Sequence, residues 1–182
     1  LGKLLFQYSL PAIIGMTLTS LYNIIDSIFI GHGVGAMAIS GLAITFPFMN
    51  LVAAFGVLIS AGGSTISSIR LGQRDSNGAT KVLNNTLMLC FTNSIVFGGI
   101  SLLFIDEILV YFGASPQTLP YARDFMKVIL MGTPISYTMI ALNNIMRATG
   151  YPKKAMLTSM VTIVCNVILA PIFIFKFHWG IE

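Results

Sequence analysis

The sequence predicts an all-α integral membrane protein that crosses the bilayer several times. Apolar residues make up 55% of the 182 residues, and charged residues make up only 9%. A soluble domain carries about 25% charged residues, so this chain has too few to cover a surface that faces water. The second observation is that its few charges are gathered between long uncharged runs.

Each of the five longest uncharged runs is long enough to cross a bilayer. They cover residues 4–25, 27–69, 82–105, 128–146 and 155–175. They do not show the two-residue alternation of a β-barrel strand, so helices are predicted. The predicted transmembrane helices are residues 4–30, 36–69, 82–104, 117–148 and 153–175.

The first predicted helix holds an acidic residue where charge is costly. A helix over residues 4–30 spans about 40 Å, more than the ~30 Å hydrocarbon layer, and Asp26 lies about 6 Å from its second end. A carboxylate at that depth is expected to face a bundle interior or a wet cavity. The alternative is an acid that reaches the interface beyond the lipid.

Two other features of this helix bear on function. Thr19, Asn23 and either Asp26 or Ser27 recur at helical spacing and form one polar stripe. Pro11 removes a backbone hydrogen bond inside the span, which bends or weakens the helix there. The bend is either a static kink or a hinge beside a cavity.

The second predicted helix has a stripe of small residues. Gly31, Gly33 and Gly35 make the preceding turn, and the later half of the helix places small side chains four residues apart. These are Gly56, Ser60, Ser64 and Ser68. Small residues at this spacing let helices approach closely, so packing is the predicted role.

The remaining segments are two turns, a loop and a further polar face. Gly72 is predicted to cap the end of the second helix, and residues 106–118 are predicted to form a loop. The short turn at residues 148–154 makes the helices on either side antiparallel neighbours. Within the last helix, Thr158, Thr162 and Asn166 lie four apart on one face.

The basic residues predict orientation. Seven of the ten lie on one side of the predicted topology, and three lie on the other. The positive-inside rule then places the N-terminus in the cytoplasm. The charges form no stripe with interleaved aromatic residues, so the net charge of +4 does not indicate nucleic-acid binding.

No enzyme site is predicted. Asp26 is the only acid predicted to lie inside the membrane, since Asp124 marks the wet outer end of its helix, so there are no paired carboxylates. His32 and His178 are remote from each other. A zinc site would need ligands that this arrangement lacks. Cys90 and Cys165 lie mid-helix without metal-ligand spacing and are predicted to be small packing residues.

Three stretches of the chain resemble the multidrug and toxic compound extrusion (MATE) transporters. They are residues 22–31 (YNIIDSIFIG), residues 62–75 (GGSTISSIRLGQRD), and residues 146–154 (MRATGYPKK) with the later run NVILAP at 166–171. They extend over nearly the whole chain, and together they are more specific than any one of them alone.

The resemblance implies twelve helices in two six-helix lobes around a cavity that alternates between membrane faces. The chain would be the N-terminal lobe without its sixth helix, and its partners would be the C-terminal lobe of the same full-length chain, the lipid bilayer and small organic cations. Those cations leave in exchange for H⁺ or Na⁺, with no other cofactor. Asp26 would couple that exchange with Asn166 and Asn23, and Pro11 would be the helix hinge.

One position departs from the family pattern. Many members carry an aspartate four residues after the asparagine that matches Asn166, whereas this chain has Ala170. A site shared by two carboxylates is therefore not expected here. Two alternatives stay open: a flippase of lipid-linked oligosaccharides with a related fold, against which the low basic charge inside the spans counts, and a membrane fragment without transport activity.

Overall fold

The computed structural model describes residues 36–172 and ten earlier positions, which are residues 9–10, 13–15, 17–18, 20–21 and 24. These ten earlier positions are helical. Five complete helices follow one another in the continuous part. They are α1 (Ala36–Gly72), α2 (Ser76–Leu103), α3 (Ile105–Tyr111), α4 (Leu119–Ala148) and α5 (Pro152–Pro171).

Four of these helices, α1, α2, α4 and α5, are long and apolar enough to cross a membrane. The described part contains no strand, and the all-α membrane fold is confirmed. Large apolar side chains on the outside of the bundle are exposed, among them Leu58, Met88 and Leu103. Such surfaces are expected where helices contact lipid instead of water.

Helix α4 organises the described bundle. It packs against α1, α2, α3 and α5, whereas α5 makes its main contacts in the described part with α4 alone. The apolar core lies where α1, α2 and α4 meet below α3, and it includes Phe48, Leu109, Met126 and Tyr137. We call this the α3 end, and we call the opposite end, which carries residues 73–75 and 149–151, the turn end.

Toward the turn end, small residues replace large ones in the helix contacts. Gly56 faces the ring of Tyr137, and a Cβ added there would lie 2.8 Å from the ring. One and three turns on, Ser60 and Ser67 are almost fully buried, and the Ser67 hydroxyl donates to the Ala79 carbonyl at 3.4 Å. The prediction of a small-residue packing stripe is therefore confirmed for its first part.

The turn between α1 and α2 corrects two predictions. Helix α1 runs to Gly72 without a cap there; the left-handed residue that closes it is Arg74, with φ 61°. The Asp75 N–H donates to the Arg70 carbonyl at 2.9 Å, which completes a Schellman motif. Asp75 also accepts from the Gly78 N–H at 2.8 Å, so α2 begins at Ser76 and not at residue 82, because capping rather than hydropathy sets its start.

The segment predicted as a loop at residues 106–118 contains the short helix α3. Ile105 and Leu109, four residues apart, are both buried in the core, and Asp106 lies in the first turn, where a negative charge suits the helix dipole. Asp106 also forms a two-bond ion pair with Arg123 of α4. This segment is too short and too charged to be predicted as a transmembrane helix. Its packing against the rest of the bundle makes it helical.

The predicted bounds of the last two helices are close to those observed. Helix α4 begins at Leu119 instead of residue 117, after a turn in which the Ser115 hydroxyl accepts from the Thr118 N–H. Helix α5 begins with Pro152 at its first turn, a position that needs no N–H donor. The predicted end at residue 175 lies outside the described residues.

Gly150 closes α4 and is expected to matter for stability. The Tyr151 N–H donates to the Met146 carbonyl at 2.9 Å, and Gly150 has φ +94°. A Cβ there would meet nothing within 4 Å, so alanine is disfavoured by backbone strain alone. We expect Gly150→Ala to lower the free energy of unfolding by about 1 kcal/mol.

This prediction can be measured by heating the purified chain with a thiol-reactive dye. Cys90 is fully buried and becomes reactive on unfolding, and the exposed Cys165 is removed by Cys165→Ser. Gly72→Ala is the control, because Gly72 also has open space for a Cβ but no positive φ. Equal melting temperatures for Gly150→Ala and Gly72→Ala would show that the turn is not under this constraint.

Candidate functional site between α4 and α5

Three of the predicted site residues, Asp26, Asn23 and Pro11, lie outside the described residues. Asn166 lies in α5 and is half-buried. As predicted, it shares one helix face with Thr162 and Thr158, which lie one and two turns nearer the turn end.

A cavity of about 370 Å³, whose surface is mostly apolar with a few polar groups, lies between α4 and α5 at the turn end. Its described lining combines apolar side chains with amides, hydroxyls and one guanidinium. The lining residues are Met139, Ile140, Asn143, Asn144, Arg147, Thr158, Ser159, Thr162 and Ile163. Thr158 and Thr162 of the predicted polar face therefore face this cavity, and Asn166 lies one turn beyond its lining.

Asn143 fastens α5 to α4 at the edge of the cavity. Its Nδ2 donates to the Ala155 carbonyl at 2.9 Å and lies 3.2 Å from both Thr158 Oγ1 and Ser159 Oγ. Ala155 is fully buried, and its small side chain allows this approach. In a membrane, amide and hydroxyl hydrogen bonds of this kind hold helices that the hydrophobic effect does not drive together.

The next residue, Asn144, contacts α1 instead of α5. Its Nδ2 donates to Ser60 Oγ of α1 at 2.8 Å, and Ser60 is fully buried. Successive residues on a helix point about 100° apart, so Asn143 and Asn144 brace α4 against two different neighbours. Both amide nitrogens are engaged, and within the described part neither amide oxygen accepts a hydrogen bond.

Arg147 lies in the last turn of α4, one turn beyond Asn143. Its guanidinium is half-buried and has no hydrogen bond or ion pair with any residue that the structure describes. Gly15, a buried residue of the first predicted helix, lies so close that a Cβ added there would be 3.8 Å from Arg147 Nη2. Gly15 therefore lies beside this end of α4.

The described cavity offers hydrogen-bonding groups and one positive charge. Within residues 36–172 and the ten described earlier positions, no three His, Cys, Asp or Glu side chains come together as they would to hold a metal ion. The cavity offers the N–H groups of one permanent cation and the oxygens of two amides. These groups recognise a ligand by hydrogen bonding and charge.

Sequence reasoning recognised part of this site. It identified Thr158 and Thr162 from their four-residue spacing, but it counted Arg147 only as a charge of an internal turn. The available signal was the polar pair Asn143–Asn144 directly before Arg147 in an otherwise apolar helix. Because each amide contacts a different helix, their roles depend on the tertiary arrangement.

Comparison with known proteins identifies the family. The MatE family model matches residues 11–172, which is most of the chain. The chain belongs to the MATE family of multidrug efflux transporters. The resemblance noted in the sequence is confirmed, and the helical bundle described above is the fold of this family.

Among the relatives of this MATE chain is the multidrug export protein MepA of Staphylococcus haemolyticus, which is 32% identical over 176 residues. That match covers 97% of this chain and 39% of MepA. MepA of Staphylococcus aureus strain NCTC 8325 is 29% identical, with 98% of this chain and 40% of that protein covered. The MATE chain therefore spans about two fifths of the length of these relatives.

Solved MATE structures have the same fold. MATE in the straight conformation is 28% identical to this chain with a TM-score of 0.88, and the match covers 96% of this chain and 39% of the solved one. MATE in the bent conformation gives a TM-score of 0.87 at the same identity and coverage. Almost all of this chain therefore matches about two fifths of each solved transporter chain.

Proposed function

We propose that the protein to which this MATE chain belongs exports small organic cations in exchange for H⁺ or Na⁺ by alternating access. The single observation that carries the proposal is the family match over residues 11–172, joined to relatives that are multidrug export proteins. The chain would form most of the N-terminal lobe and work with a C-terminal lobe. A bacterial inner membrane with a cytoplasmic N-terminus is the proposed setting.

In this proposal Asp26 couples ion and drug movement, with Asn166 and Asn23 as polar neighbours. Burial in a dry lobe favours the neutral carboxyl group, whereas a nearby cation favours the carboxylate. A proton and a cation therefore compete for one site, and each changes the affinity for the other. With Ala170 where many relatives carry an acid, Asp26 would do this alone.

The polar face of α5 supports a ligand path along that helix. Thr158 and Thr162 line the cavity, and half-buried Asn166 continues the face toward the α3 end. Pro11 would allow the first helix to change shape as the cavity opens to one side or the other. That MATE has been solved in both straight and bent conformations supports a fold with two stable shapes.

The test is transport of a fluorescent cation, ethidium, by membrane vesicles that contain the complete protein. We expect an imposed H⁺ or Na⁺ gradient to drive ethidium movement, and an ionophore that collapses the gradient to stop it. Asn166→Ala should slow this transport about ten-fold, since a polar contact to a charged group is worth about 1.5 kcal/mol or more. Asn85→Ala, at an exposed position of α2, is the matched control and should leave it unchanged.

Two results would contradict the proposal. Gradient-independent movement of a lipid-linked sugar, without ethidium transport, would favour the flippase alternative. No movement of either compound by a folded protein would favour a membrane protein that does not transport.

A further inference from the structure

Arg147 is a charged side chain without a counter-charge in the described part of the chain. The acids that lie in ion pairs there are engaged elsewhere: Asp75 pairs with Arg70, Asp106 pairs with Arg123, and Asp124 pairs with Lys127. A guanidinium does not lose its proton in proteins, so a half-buried one that lacks a partner retains a full positive charge. The carbonyl end of α4 offsets only part of that charge.

The other polar side chains of the described lining are neutral, so none of them supplies the counter-charge that Arg147 lacks. The hydroxyls of Thr158 and Ser159 both donate to the Ala155 carbonyl, and the Thr162 hydroxyl donates to the Thr158 carbonyl. The free N–H donors of the described lining therefore belong to Arg147, apart from the second N–H of the Asn144 amide. Its unused acceptors are the amide oxygens that the two asparagines present.

These groups describe a ligand with two parts. A negatively charged oxygen pair would accept two parallel N–H bonds from the planar guanidinium, the geometry in which arginine binds phosphate. A hydroxyl or ammonium on the same molecule would donate to the amide oxygen of Asn143 or Asn144. A cavity of about 370 Å³ has room for a group of this size.

We propose that the α4–α5 cavity binds a phosphate group that carries a hydrogen-bond donor, with Arg147 as the anion-binding residue. Two sources share this chemistry: the headgroup of a phospholipid such as phosphatidylglycerol, and a phosphate compound dissolved in the cytoplasm. The position of Arg147 in the last turn of a membrane-spanning helix places it within reach of either. The inference does not rest on the proposed export of cations.

The test is protection of Arg147 from phenylglyoxal, a reagent that modifies arginine. The complete protein in an uncharged detergent is treated with the reagent alone, with phosphatidylglycerol added, or with inorganic phosphate added. Peptide mass spectrometry then gives the rate at each arginine. We expect the ligand to slow modification of Arg147 about ten-fold, as a charge-assisted two-bond contact would, and to affect exposed Arg74 far less.

The two additions separate the sources. Protection of Arg147 by phosphatidylglycerol alone assigns the site to a lipid headgroup, and protection by inorganic phosphate as well assigns it to phosphate in general. If neither addition protects Arg147 more than Arg74, the proposal is wrong.

A matched pair of variants gives an independent measurement. Native mass spectrometry should show that Arg147→Gln retains fewer phosphatidylglycerol molecules than the unchanged protein, whereas Lys153→Gln, which removes one positive charge at an exposed neighbouring position, retains the same number. Equal losses for both variants would mean that only general surface charge is involved. If Arg147→Gln fails to fold, the phenylglyoxal experiment still decides on the unchanged protein.

Discussion

Replacing Gly63 by alanine is expected to lower the free energy of unfolding by about 2 kcal/mol, the range of overpacked cores. A Cβ at Gly63 would lie 2.2 Å from Oγ1, 2.5 Å from Cγ2 and 2.9 Å from Cβ of Thr86 on α2. Rotation of the threonine cannot relieve this clash, because its Cβ is itself too close. Thr86 also donates to the Val82 carbonyl at 2.8 Å, so α1 and α2 would have to move apart.

The neighbouring glycine provides the control. A Cβ at Gly62 would meet nothing within 4 Å, and alanine favours a helix over glycine by about 1 kcal/mol. Gly62→Ala should therefore leave the melting temperature unchanged or raise it, in the Cys90 dye assay on the Cys165→Ser background. Thr86→Ala should restore part of the stability lost in Gly63→Ala. If Gly63→Ala and Gly62→Ala melt alike, the close contact of α1 with α2 is wrong.

Asp26→Asn is expected to have the largest effect on activity. If the proposed coupling is correct, the amide can neither exchange a proton nor attract a cation by charge. Ethidium transport should then fall about a hundred-fold, a loss of about 2.7 kcal/mol, and the remaining transport should no longer depend on pH or Na⁺. The measurement is the initial rate in vesicles at several pH values, with and without Na⁺.

An acid on the surface makes the matched control for this substitution. The side chains of Asp124 and its partner Lys127 are exposed to a similar degree, and their charged atoms are 3.9 Å apart. An exposed ion pair of this kind contributes little to stability. Asp124→Asn therefore makes the same chemical change where little depends on the charge. It should leave the rate and its ion dependence unchanged. Asp26→Glu, which keeps the acid, should retain part of the coupling. Unchanged ion dependence in Asp26→Asn would remove Asp26 from the mechanism.

The long helices could be predicted because their signal is local. A run of about 20 uncharged residues is decided by transfer from water to lipid, and that free energy sums along the chain regardless of partners. The polar face that includes Thr158 and Thr162 could also be predicted, since helical spacing alone places these residues on one side of the helix. The turn predicted at residues 148–154 contains Gly150 and Pro152, and in the structure Gly150 closes α4.

Other features could not be predicted because each depends on a neighbour. The small-residue stripe was expected to continue through Ser64 to Ser68. Ser64 is buried as expected, but the residues in closest contact with α2 are Gly63 and Ser67. Four residues turn the helix by about 400°, which is about 40° more than one full turn. A contact line that runs straight along the helix must therefore include a step of three residues among the steps of four. Which residue contacts α2 is decided by where Thr86 lies.

The sequence by itself determined that this chain is a membrane-spanning helical protein of the MATE type, because hydropathy, helix breaks and short motifs are properties of contiguous residues. Only the tertiary structure decided that α3 is a helix, that Arg74 takes the left-handed position, and that Asn143 and Asn144 brace α4 against different partners. It also left Arg147 in a cavity without a counter-charge among the described residues. Each of these depends on side chains brought together from distant parts of the chain, where close packing and hydrogen bonding outweigh local preference.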